Sequence, residues 1–121
     1  MKLHKILMIA AGLFFLQGCD SQETKVKKYL KCGLAVKQIG SPLAKENYKK
    51  NVDALFKDSP SDISSYDMIR IGQDAREELW MNGRNRRGEA QKLIDEYEES
   101  YCVDMHKVPK DENIERLKAM L

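Results

Sequence analysis

The chain has 121 residues, 42% hydrophobic and 33% charged, with a formal net charge of +2. That length holds one small domain with a thin core, so a covalent staple would help it fold. Charge this close to balance excludes the strongly basic footprint of a nucleic-acid-binding domain.

Lys2 and Lys5 open the chain, and Ile6 to Leu16 follow as an uncharged apolar run. Eleven residues are too few to cross a bilayer as a helix, which needs about 20. A basic start, a short apolar stretch and a small residue at the exit describe an export signal. The segment Leu16-Gln17-Gly18-Cys19 resembles the lipobox at which bacterial signal peptidase II cuts lipoprotein precursors. The resemblance covers residues 1–20. It implies cleavage after Gly18, diacylglycerol in thioether linkage on Cys19, and a palmitate-type acyl chain on the new amino terminus. Two or three chains hold a protein on a bilayer where one does not. Asp20 matches the pattern that, in enteric-type bacteria, resembles the inner-membrane retention signal; the outer membrane is the alternative. The implied organisation is a leader (1–18), a lipidated tether (19–25) and one helical domain (26–121), anchored in the cell envelope and facing the periplasm.

Removing the leader takes both of its lysines and leaves 19 basic and 19 acidic residues. The charge is uneven. Residues 19–57 hold nine lysines and four acids, whereas residues 58–121 hold ten bases and fifteen acids. A lysine face beside anionic headgroups and lysine helices paired with the acidic segment Asp95–Glu99 are the two readings. Cys32 and Cys102 remain after processing, and an even pair in an oxidising compartment reads as a disulfide.

Val26, Leu30 and Leu34 recur at helical spacing and predict a first helix over about 24–38, ended near Gly40. Ser41-Pro42 is a strong start for a second, with Leu43, Tyr48, Val52, Leu55 and Phe56 on its apolar side. Ser64 or Ser65 caps a third, carrying Met68, Ile71, Ala75 and Leu79, and Asn82-Gly83 reads as its stop. The fourth is predicted as one helix over about 88–106, with Ala90, Leu93, Ile94, Tyr97, Tyr101 and Met105 in period. Pro109 ends it, and a short amphipathic helix follows from Asp111 with Ile114, Leu117 and Leu121 on one face. No stretch alternates as a strand would. The fold class is all-α: a compact bundle of four main helices plus a short C-terminal one, stapled through Cys32 and Cys102.

No cofactor or metal is expected. Cys102 and His106, four residues apart, could join Cys32 at a metal, but exported thiols oxidise and only one histidine survives processing. A bridged cysteine supplies no thiolate nucleophile, and no G-x-S-x-G motif is present. Glu77, Glu78, Asp95, Glu96, Glu98 and Glu99 could hide the two carboxylates of a cell-wall hydrolase, although solvated helix faces explain them more simply. The strongest binding feature is the stretch around Trp80, Met81, Arg84, Arg86 and Arg87, since Trp and Arg are enriched at interface hot spots. Arg86 and Arg87 near a helix start oppose its dipole, so local stability does not ask for them. The expectation is a non-enzymatic, membrane-anchored protein-binding module. An immunity or exclusion factor against an envelope-targeting toxin is the sharper alternative, similar in general plan to immunity proteins of type VI amidase effectors. A wall hydrolase is disfavoured.

Overall fold

Gly40, Ser41 and Pro42 turn the chain back on itself between its first two helices, with Ser41 Oγ accepting the Ala44 N–H at 3.3 Å. The computed structural model describes residues 22–57, 63–81 and 85–121. Among them run α1 (Gln22–Ile39), α2 (Pro42–Phe56), α3 (Ser65–Glu78), α4 (Arg86–Tyr97), α5 (Ser100–His106) and α6 (Glu112–Met120), with no strand. Cys19, Asp20 and Arg84 lie outside the described residues. The protein is an all-α compact bundle.

The centre of the bundle is α1, which packs against α2, α3 and α4 and touches α5. Cys32, Ala35 and Val36 are its buried residues, all within one stretch at its C-terminal half. They meet Ile94 and Tyr97 of α4, Cys102 and Met105 of α5, and Ala44 of α2 in one core. The disulfide joins Cys32 to Cys102 with their Cα atoms 5.4 Å apart. The pairing required the first helix and the last long helical region to be neighbours, and they are.

Gly33 lets α2 approach. A Cβ built there would stand 2.5 Å from the Tyr48 hydroxyl oxygen and 2.8 Å from its ring. That hydroxyl donates to the Tyr29 carbonyl at 2.7 Å, and burial pushes its pKa up to about 12. Gly33→Ala gains helix propensity of about 1 kcal/mol but displaces the tyrosine and its hydrogen bond. A net loss of about 1–2 kcal/mol is expected from overpacking, read as an earlier midpoint in urea. A midpoint that moves later would show that Tyr48 swings away freely.

Three sequence expectations need correction. The fourth helix is not continuous: Glu98 closes α4, and Glu99, with extended backbone (ψ 139°), opens α5. Two carboxylates at a helix C-terminus oppose its dipole, and the break frees the Tyr97 carbonyl, which His106 Nε2 takes at 2.9 Å. On α2 the buried residue is Ala44, whereas Leu43 and Leu55 are exposed at 58% and 37%. Tyr48 and Val52 do pack on the core, but two polar residues share that inner side. Asn47 and Asn51 donate their side-chain N–H groups to the carbonyls of His106 and Met105 at 2.9 and 2.7 Å, satisfying acceptors that a helix C-terminus leaves open. Finally, α3 stops at Glu78, before Asn82-Gly83, by a device with Trp80 at its centre.

Candidate functional site

The end of α3 is a Schellman motif. The Met81 N–H bonds the Arg76 carbonyl at 2.8 Å, and the Trp80 N–H bonds the Glu77 carbonyl at 3.0 Å. This motif puts its C′ residue in the left-handed region, where glycine is the usual occupant. Here the residue is Trp80, at φ 58°. A left-handed L-residue costs roughly 1–2 kcal/mol, so a bulky indole is an expensive choice. The ring stays 48% exposed. One side of it lies on Gly88, where a Cβ would come within 3.1 Å of the ring carbons, and Lys92 Nζ stands 4.7 Å from the ring centroid.

Gly88 is in the first turn of α4, capped by Asn85, whose Oδ1 accepts the Gly88 N–H at 3.0 Å. Arg86 and Arg87 open that turn, both exposed. Neither forms an ion pair among the described residues. The structure therefore brings Trp80, Arg86 and Arg87 to one exposed turn, with Lys92 added. Met81 separates from them: it is half-buried and packs on the core.

Two further exposed apolar residues lie near the start of α3, away from this turn. Tyr66 and Ile69 are 77% and 64% exposed, on the side of α3 turned away from buried Ile71 and Ala75. Their i, i+3 spacing was the available sign, since it runs out of phase with the core residues of the same helix.

The candidate carboxylates fall differently. Asp95, Glu96, Glu99 and Glu78 line an open cleft of about 370 Å³ together with Lys31, Lys92 and Leu79. Glu78 is held by Lys27 and Lys31 at 3.2 and 3.9 Å. The lysines of α1 thus pair chiefly with the end of α3 rather than with the acidic segment 95–99. Glu96 has a buried Oε1 with no hydrogen-bond partner. Burial pushes its pKa up, against Lys31 and with help from Glu99 and Glu78. A carboxyl raised in the fold contributes stability below its unfolded pKa and loses it as pH rises through the folded value. Glu96→Gln is therefore expected to raise the melting temperature at pH 7 by about 4 °C and to change little at pH 4. Equal shifts at both pH values would show that charge is not the cause.

The Cys–His constellation is structural. Both sulfurs are in the bridge. His106 is fully buried and stacked on Tyr97 at 4.0 Å between centroids. Its Nδ1 accepts the Val108 N–H at 3.1 Å while Nε2 faces the Tyr97 carbonyl. With Nδ1 accepting, Nε2 carries the proton, and no ring nitrogen is left for a metal. Burial lowers the pKa of this imidazole.

Beside it, Asp111 accepts from the Tyr97 hydroxyl at 2.5 Å, the Ser41 N–H at 2.9 Å and the Asn113 N–H at 3.0 Å. Burial alone would raise its pKa; these three donors outweigh it and hold the carboxyl below its usual range.

Comparison with protein-family models, with curated proteins and with solved structures finds no match to this chain.

Proposed function

We propose that the chain is a non-enzymatic binding module, anchored by lipid on Cys19 to the envelope membrane and facing the periplasm, that holds a protein partner through the Trp80 turn. The observation that carries the reading is Trp80 itself, left-handed and half-exposed where glycine would fit the backbone better. Its ring is held in place by Gly88 and Lys92, so it offers a fixed apolar surface at little cost in side-chain order. Arg86 and Arg87 beside it oppose the α4 dipole and fit a partner bearing carboxylates.

A photo-crosslinking residue at Arg87 in the lipidated full chain tests this. One discrete protein adduct is expected, weakened about tenfold by Trp80→Gly. That substitution suits the left-handed backbone, so melting should be unchanged or later, separating lost binding from lost folding. An adduct pattern no different from that of a probe at exposed Lys110 would sink the reading. Should the partner be an envelope-targeting toxin, the same surface makes the chain an immunity factor.

A further inference from the structure

The start of α1 and the end of α2 meet at one end of the bundle. Tyr29 of α1 stacks edge-on with Phe56 of α2 at 5.8 Å and with Tyr101 of α5 at 5.9 Å. Two lysines lie over these rings: Lys25 is 6.0 Å from the Phe56 centroid and Lys28 is 4.5 Å from that of Tyr101. Lys57 follows at the exposed end of α2, next to part-exposed Leu55. Among the described residues no carboxylate pairs with these three lysines, whereas Lys27, Lys31 and Lys50 all have one. Glu23 at the same end is taken by Arg70 at 2.8 Å. The result, among the described residues, is a patch of aromatic rings and ammonium groups outside the ion pairs of the bundle.

Its position matters as much as its chemistry. Cys19 precedes Gln22 by three residues, a reach of at most about 11 Å. Aromatic rings with lysines snorkelling over them match the boundary between headgroups and water.

We infer that this end of the bundle docks on an anionic phospholipid surface, with Lys25, Lys28 and Lys57 against headgroup phosphates and Tyr29, Phe56 and Tyr101 at the interface. The inference rests on the anchoring at Cys19 proposed above. It orients the domain: α1 stands away from the bilayer, and Lys37, twelve residues further along it, lies about 18 Å beyond Lys25. That exceeds the screening length of about 8 Å at physiological salt.

The test uses the full chain purified from bacterial membranes and reconstituted into vesicles of phosphatidylcholine, with or without phosphatidylglycerol. A membrane-impermeant amine reagent is applied, and labelling at each lysine is read by mass spectrometry. Labelling of Lys25, Lys28 and Lys57 relative to exposed Lys37, Lys45 and Lys110 should fall about threefold or more on the anionic vesicles, and high salt should restore it. An unchanged ratio overturns the docking. The mass of the N-terminal peptide reads the anchor separately. Lipidated Cys19 with an unchanged ratio leaves the anchor standing and removes the docking. A lowered ratio with unmodified Cys19 does the reverse.

Discussion

Replacing Cys32 and Cys102 together by alanine is expected to cost about 4 kcal/mol, because the bridge closes a loop of 70 residues in the unfolded chain. Stability of small domains is about 5–15 kcal/mol in total, so a large share of the margin would go. The melting temperature should fall by about 16 °C or more. Serine should be worse than alanine, since both positions are fully buried and a hydroxyl there needs a partner it does not have. The same burial shields the native bridge. Reductant alone should act slowly, and fast only when denaturant opens the core. Melting curves of wild type and both double variants, with and without reductant, check all of this. A loss below about 1 kcal/mol would mean that helix packing alone holds the bundle.

The second large effect is expected at Asp111. Its carboxylate joins the start of α2 through Ser41, the end of α4 through Tyr97, and the start of α6, which it caps. Asp111→Ala would strand donors from three elements, each costing roughly 1–3 kcal/mol when buried and unpaired, so a loss of about 3–5 kcal/mol is expected. Asp111→Asn keeps the shape but loses the charge, and should fall between the two.

The pH dependence follows from the same cluster. His106 has a lowered pKa in the fold, so the unfolded chain takes up its proton first. Its contribution is full above about pH 6.5 and lost below it. Asp111 has a lowered pKa, so its contribution is present above about 3.8 and lost as pH falls through the folded value. Stability should therefore fall in two stages on acidification. His106→Gln should remove the upper stage and Asp111→Asn the lower, as read from urea midpoints between about pH 2 and 8. A single stage unaffected by either variant would place the acid sensitivity elsewhere.

Much of the fold was legible because it is written locally. Ser41-Pro42 states a helix start, and the fold uses it as stated. The Cys32–Cys102 pair states a neighbour relation between distant helices, readable from the sequence once an oxidising compartment is expected. What stayed hidden depends on partners far along the chain. The break at Glu98–Glu99 interrupts apolar periodicity that runs on both sides, and its use, the Tyr97 carbonyl freed for His106, is set by a residue in the next helix. Asp111 reads as an ordinary helix cap until Ser41, 70 residues earlier, is seen donating to it. Leu43 and Leu55 look like core by spacing, but α2 turns Asn47 and Asn51 inward to meet the end of α5. Of the candidate site, Trp80, Arg86 and Arg87 were picked by residue type. The left-handed backbone of Trp80 was not, because glycine is the residue that normally marks such a position.

The placement of Cys32 within α1 has a mechanical consequence. If the chain is anchored at Cys19 as proposed, it would be pulled through its N-terminus whenever a bound partner moved away. Tension entering at Gln22 meets first the exposed Glu23–Arg70 pair and then the Lys27 and Lys31 contacts with Glu78. Peeling can run through ten residues and then halts, because Cys32 is covalently fixed to α5. Ten residues passing from helix to extended chain lengthen the leash by about 20 Å. The bridge would thus act as a ratchet stop, allowing the domain to yield a fixed distance under load while Trp80 and its neighbours remain folded.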